Sequence, residues 1–179
     1  MDRERVERRR DTVPSGFCDA DFASNPAPEE KRRSVSGNIF FLSKGPISWS
    51  SKRQEITAES TMQSEYISLW YAGRQASWFR SMAEAIGRPL SEGIKLYCDS
   101  ESAIALATRG EVAHKGAKHF DDKYHSPRDR VERNEICIEY VPTQDNLADF
   151  LTKQLPPNSF ISSRDTYSAR VTLVLQRKD

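Results

Sequence analysis

The sequence predicts an α/β domain: a mixed five-stranded sheet, antiparallel at first and then parallel, with helices packed over both faces. The order of elements carries this reading. Three strand-like runs come first with no helix between them, so they pair antiparallel. After a long helical stripe the remaining strands are separated by helices, and a crossover of that kind makes neighbours parallel. No internal repeat is visible, and 179 residues suffice for one domain with a core of its own.

The opening "MDRERVERRRDT" has one apolar residue after Met1 among mixed charges and cannot bury a face, so residues 1–12 are expected to be a disordered charged leader. Order is expected from Val13, with the domain over residues 13–157 and a poorly ordered tail over 158–179. "VPSGFCDADF" is the first strand, and the proline-rich polar stretch "NPAPEEKRRS" ends it. "VSGNIFFLS" and "PISWSS", joined by the short turn "KG", read as an antiparallel hairpin.

From Ser60 to Ile86, Met62, Tyr66, Leu69, Trp70, Gly73, Ala76, Phe79, Met82, Ala83 and Ile86 recur at helical spacing. Ser60 and Gln63 make a capping box at its start, and Gly87 with Pro89 closes its end. "IKLYC" is a short strand that runs straight into the helix "DSESAIALATRG", with Asp99 as expected cap and Gly110 as end. "EICIEYV" alternates as a strand, and "TQDNLADFLTK" is a short helix stopping before Pro156.

Lys+Arg (27) and Asp+Glu (26) nearly cancel, so any phosphate partner must be met by a local patch. No run of about 18 apolar residues exists and the N-terminus is charged, which argues against a membrane span or secretory signal and for an intracellular location, cytoplasmic or nuclear. Cys18, Cys98 and Cys137 are odd in number and widely spaced; they read as reduced, buried small hydrophobes. Trp49, Trp70 and Trp78 read as core.

Acidic residues recur at comparable places. Asp19 and Asp21 lie in the first strand, Glu65 in the first turns of the long helix, Asp99 at the strand-to-helix junction and Asp149 in the last helix. Each has a plain structural reading: Asp99 caps a helix, Asp21 forms a turn, Asp149 sits on a solvated face. Glu65 borders the buried stripe and is harder to dismiss. Were the four to converge, their repulsion would raise their pKa values unless divalent cations such as Mg²⁺ or Mn²⁺ filled the gap. Oxygen ligands without a Cys/His set disfavour zinc.

Six blocks, "GFCDADFAS", "RRSVSGNIFFLSKGPISWSSKRQ", "STMQSEYISL", "LYCDSESAIALA", "AKHFDDKYH" and "EYVPTQDNLADFLTKQLP", resemble in order and spacing the ribonuclease H region at the C-terminal end of the polyprotein of copia-type retrotransposons. The resemblance runs from about Gly16 to Phe160. It implies a ribonuclease H-like fold, a five-stranded mixed sheet whose first three strands are antiparallel. It also implies a metal-binding catalytic quartet, which falls on Asp19, Glu65, Asp99 and Asp149, with Asp21 a neighbour rather than a ligand. Two Mg²⁺ ions, or Mn²⁺, roughly 4 Å apart would then assist in-line hydrolysis of a phosphodiester. The implied substrate is the RNA strand of an RNA–DNA hybrid, told from DNA by its 2′-hydroxyls. The implied original partner is a reverse transcriptase domain of the same polyprotein; no membrane partner is expected, and the domain should act as a monomer.

Phosphate contacts are expected among Lys31, Arg32 and Arg33, Lys52 and Arg53, and Lys115, Lys118, His119, Lys123 and His125, with Arg32, Arg33, Lys52, Lys118 and His119 the chosen set. Cys18 and Cys98, each beside a proposed ligand on a strand, should point to the opposite, helix-covered face.

Three departures from the family pattern stand out. "VPTQDN" lacks the histidine that many cellular ribonucleases H carry before the last catalytic aspartate. Pro127 in "YHSPRDRVE" would cost about 3 kcal/mol inside a helix, so a break near Ser126 or a restart at Pro127 is expected. After Phe160 the closing segment differs, and the chain looks like a remnant of a larger polyprotein gene. The competing reading is therefore a catalytically decayed or co-opted remnant that binds nucleic acid without cleaving it.

Overall fold

The computed structural model describes residues 13–22, 33–43, 45–109 and 121–153. The expected leader over 1–12 and tail over 158–179 lie outside them. The described strands are β1 (Ser15–Asp21), β2 (Val35–Leu42), β3 (Gly45–Arg53), β4 (Ile94–Cys98) and β5 (Ile136–Tyr140). The helices are α1 (Thr61–Ala85), α2 (Glu101–Arg109) and α3 (Asp121–Glu132), and 3₁₀ turns follow at Thr143–Asp145 and Asp149–Leu151.

The five strands form one sheet in the order β3-β2-β1-β4-β5. β1 pairs antiparallel with β2, β2 antiparallel with β3, while β4 runs parallel to both β1 and β5. This is the expected mixed sheet. Its two faces bury separate cores, as strand alternation requires. One joins Cys18, Phe40, Leu96 and Ile136 to Leu69 and Phe79 of α1, with Ala103 and Ala107 of α2. The other joins Phe17, Ile39, Phe41 and Tyr97 to Val141 and Leu147, beside the 3₁₀ turns.

The α1 boundaries follow from local chemistry. Ser60 Oγ accepts the Gln63 N–H at 3.2 Å, and Gln63 Oε1 accepts the Glu59 N–H at 2.5 Å, so the capping pair reaches back one residue further than a standard box. At the other end Gly87 takes φ +75°, and the Gly87 and Arg88 N–H groups close onto the Glu84 and Ala83 carbonyls at 2.9 and 2.8 Å.

Several expectations are corrected. The segment after β5 is two 3₁₀ turns rather than one α-helix. Asn146 explains this: its Nδ2 donates to the Cys18 carbonyl at 3.0 Å and its Oδ1 accepts the Ala148 N–H at 3.1 Å, tying the chain down mid-segment. α3 runs unbroken through Pro127. The ring is fully buried, and that burial offsets the backbone bond that a proline at the seventh of twelve helical residues cannot donate. Cys137 is exposed, because it alternates outward with Glu139 on the edge strand β5, where Glu139 pairs with Lys95 at 2.7 Å. Trp49 on the edge strand β3 and Trp78 on α1 are 65% and 54% exposed, so neither is a core residue, and Trp70 is half-buried with the Arg74 guanidinium 4.9 Å from its ring centre.

Candidate metal centre

β1 and β4 are parallel neighbours, and β1 is also where the connections turn away in opposite directions, β2 to one side and β4 to the other. Crevices in open α/β sheets form outside the carboxyl ends of strands at such a switch point. Three of the four singled-out carboxylates come to that edge. Asp19 is near the end of β1, Asp99 is the first residue past β4, and Glu65 leans in from α1 to accept the Ala20 backbone N–H.

Asp99 does not cap its helix. Ser100 does: its Oγ accepts the Ala103 N–H at 3.3 Å and its carbonyl takes the Ile104 N–H at 3.0 Å. Asp and Ser are both good caps, and adjacent ones are indistinguishable by propensity. One Asp99 oxygen, Oδ1, is buried with no hydrogen-bond partner, as is Oε2 of Glu65. Oxygen atoms of Glu65 and Asp99 and the sulfur of Cys98 all lie within 4.8 Å of one another.

Asp19 is 4% exposed, and the Thr152 hydroxyl donates to its Oδ2. Ser68 Oγ donates to the Asp19 backbone carbonyl at 2.6 Å, fixing the strand against α1. Asp149, in the second 3₁₀ turn, is half-exposed and bound by the Lys153 ammonium. It lies close enough to Asp19 to raise that carboxyl.

The charge balance is unfavourable to carboxylates alone. Burial raises Asp19, the Thr152 hydrogen bond opposes it, and Asp99 and Asp149 add to the rise, leaving it at about 6. Burial, then Asp19, Cys98 and Asp99, push Glu65 up to about 10. Two orphaned oxygens in a buried acidic cluster, with Lys153 the cation that lowers Asp19, make a donor set that fits a divalent ion. Hard oxygen donors favour Mg²⁺ or Mn²⁺.

Of the expected phosphate contacts, Arg32, Lys118 and His119 lie outside the described residues, as do Lys31 and Lys115. Arg33 is half-buried just before β2. Lys52 is exposed on β3, paired with Glu55 at 2.9 Å and held 5.5 Å from the Tyr71 ring centre. Neither is among the groups around the acidic cluster. Sequence reasoning passed over Thr152 and Asn146; the only signal for Thr152 was a hydroxyl three residues after Asp149. Cys18 and Cys98 both enter the helix-side core, as expected, yet the Cys98 sulfur also reaches the carboxylates.

No protein-family model matches the chain. It is 36% identical over 150 residues, 84% of its length, to the retrovirus-related Pol polyprotein from transposon TNT 1-94 of Nicotiana tabacum. It is 33% identical over 144 residues, 80% of its length, to that from transposon RE1 of Arabidopsis thaliana. The chain spans only 11% and 10% of those two proteins. Among solved structures it superposes on the LC11 ribonuclease H1 in complex with RNA/DNA hybrid with a TM-score of 0.55 at 17% identity, covering 77% of this chain and 92% of that one. It superposes on the prototype foamy virus protease-reverse transcriptase with a TM-score of 0.57 at 16% identity, covering 78% of this chain and 20% of that one. The chain is thus a relative of the Pol polyproteins of copia-type retrotransposons, and its fold is that of ribonuclease H.

Proposed function

We propose that this domain is a nuclease that hydrolyses the RNA strand of RNA–DNA hybrids, with Asp19, Glu65, Asp99 and Asp149 holding two divalent ions, Mg²⁺ or Mn²⁺. The observation that carries the reading is the pair of buried oxygens without partners, Glu65 Oε2 and Asp99 Oδ1, at the carboxyl ends of β1 and β4. Bound ions would supply an activated water and neutralise charge at the scissile phosphate. The chain's own part is to hold the carboxylates in place. Asp19 and Asp99 are set by neighbouring parallel strands, Glu65 by a helix capped a turn earlier, and Asp149 by the turn that Asn146 anchors. Asp149 is half-exposed, unlike the buried Asp19 and Glu65, which suits a group that meets substrate at the rim.

The relatives support a setting in which the domain works beside a reverse transcriptase in one polyprotein. Lys52 and Arg33 would contact backbone phosphates away from the cut. The reading of a decayed remnant drew on Pro127, and the unbroken α3 removes that support.

The test is cleavage of a labelled RNA–DNA hybrid in Mg²⁺ by the purified chain, beside its Asp99→Asn variant and a single-stranded RNA control. Hybrid-specific cutting that the variant lacks supports the reading. A folded chain that leaves the hybrid intact overturns it.

A further inference from the structure

The third member of the corner formed by Glu65 and Asp99 is a thiol, a donor with no use for Mg²⁺. Consecutive residues of a strand point to opposite faces, so Cys98 and Asp99 would ordinarily be kept apart by the sheet. Here β4 ends at Cys98 and the chain turns away toward α2. Both ligand atoms therefore reach Glu65, within 4.8 Å of it and of each other. Glu65 is 7% exposed and its Oε2 has no partner, while Cys98 is fully buried. A carboxylate oxygen of Glu65 and the sulfur thus lie close enough to serve one ion.

We propose that Glu65, Cys98 and Asp99 form a mixed carboxylate–thiolate site that takes one thiophilic divalent ion, Zn²⁺ or Cd²⁺, in competition with Mg²⁺. Zinc bonds of about 2.0–2.3 Å place tetrahedral donors roughly 3.3–3.8 Å apart, a closure of about 1 Å that side-chain torsions supply. Coordination replaces the Cys98 thiol proton and the carboxyl proton of Glu65, and both leave to solvent as the metal–sulfur and metal–oxygen bonds form. A site with a soft donor prefers zinc to magnesium, so the same residues that would serve a Mg²⁺ nuclease make it open to blockade by traces of a softer metal. The inference rests on the meeting of carboxylates that the proposed function also uses.

The experiment adds Cd²⁺ to the metal-free full chain and follows the ultraviolet thiolate-to-cadmium charge-transfer band. The band should grow to one equivalent, disappear in Cys98→Ala and persist in Cys137→Ala. The cadmium NMR resonance of the unaltered chain needs no variant, and it should lie far from the range of all-oxygen sites, toward that of sulfur ligation. No band, a band that survives Cys98→Ala, or an all-oxygen resonance would overturn the proposal. Hybrid cleavage in Mg²⁺, measured on the same preparation, separates the two readings. Cleavage without a band rejects the thiolate site alone, whereas a Cys98-dependent band without cleavage upholds it and rejects the nuclease.

Discussion

Thr152 and Asp19, 133 residues apart in the chain, meet in a buried hydrogen bond in which the Thr152 hydroxyl donates to Asp19 Oδ2. The same Oγ1 lies 2.9 Å from the Asp149 carbonyl oxygen. One side chain therefore ties the last 3₁₀ turn to the central strand and holds two of the proposed ligands in register. The bond also favours the ionised form of Asp19.

Removing that donor should tell in two ways. Thr152→Val keeps the shape and loses the hydroxyl, so it should cost about 1–3 kcal/mol of stability. Asp19, deprived of its donor, rises further, and the acidic limb of the pH profile of Mg²⁺-supported cleavage should move up by about one unit. A variant with lowered stability and an unmoved limb would leave Thr152 a purely structural residue.

Asp99 and Ser100 offer a separation of roles between adjacent residues. Ser100 caps α2, so Ser100→Ala should cost about 1 kcal/mol by denaturant unfolding and leave cleavage nearly as it was. Asp99→Asn should change stability by less than about 1 kcal/mol and bring cleavage to background. Cleavage by Asp99→Asn at the parent's rate would remove Asp99 from the site.

Much of this was legible because the signals are local. All five strands stand where alternation and turn residues placed them, and the α1 cap and stop are where Ser60 and Gly87 indicated. What failed depended on tertiary reach. α1 has 25 residues, about 37 Å of helix, and Met82 in its last turn and the cap residue Ile86 are exposed although their spacing continues the core stripe. The 3₁₀ turns follow from the bond of Asn146 to the Cys18 carbonyl, 128 residues away, which no window of sequence contains. At the site, Asp19 and Glu65 were identifiable as candidates, but Thr152 and the Cys98 sulfur were not, since both are recruited by contacts between distant segments.

The buried carboxyls make a prediction about pH in the metal-free protein. Asp19 is raised from 3.8 to about 6 and Glu65 from 4.5 to about 10. In each window the folded chain binds more protons than the unfolded one, so stability is fullest below the unfolded value and falls as pH rises toward the folded one. The melting temperature in chelator should therefore drop from about pH 5 to about pH 8, and Glu65→Gln should flatten the decline. Saturating Mg²⁺ should reverse it, because the ion displaces those protons and stabilises the ionised form. A metal-free melting temperature that climbs with pH in the parent and in Glu65→Gln alike would contradict the buried, protonated pair.

Gly37 decides whether the turn carrying Asp149 can sit on the sheet at all. It pairs with Asp19 across β1 and β2, and a Cβ there would stand 2.8 Å from Thr152 Cγ2, 3.0 Å from Leu151 Cβ and 3.1 Å from the Ala148 carbonyl oxygen. None of those atoms is the free end of a flexible chain, so Gly37→Ala must push the turn outward, at about 1–3 kcal/mol. Asp149 and Thr152 would move with it, away from Asp19. Hybrid cleavage should accordingly fall about tenfold or more at temperatures where the variant is fully folded, a loss of about 1.4 kcal/mol in transition-state stabilisation. Gly45→Ala is the matched control on the neighbouring strand, since its nearest atom, the Leu42 carbonyl oxygen, is an ordinary 3.7 Å away. Undiminished cleavage by folded Gly37→Ala would mean that the close seat of the turn, and with it the position of Asp149, does not matter to the reaction.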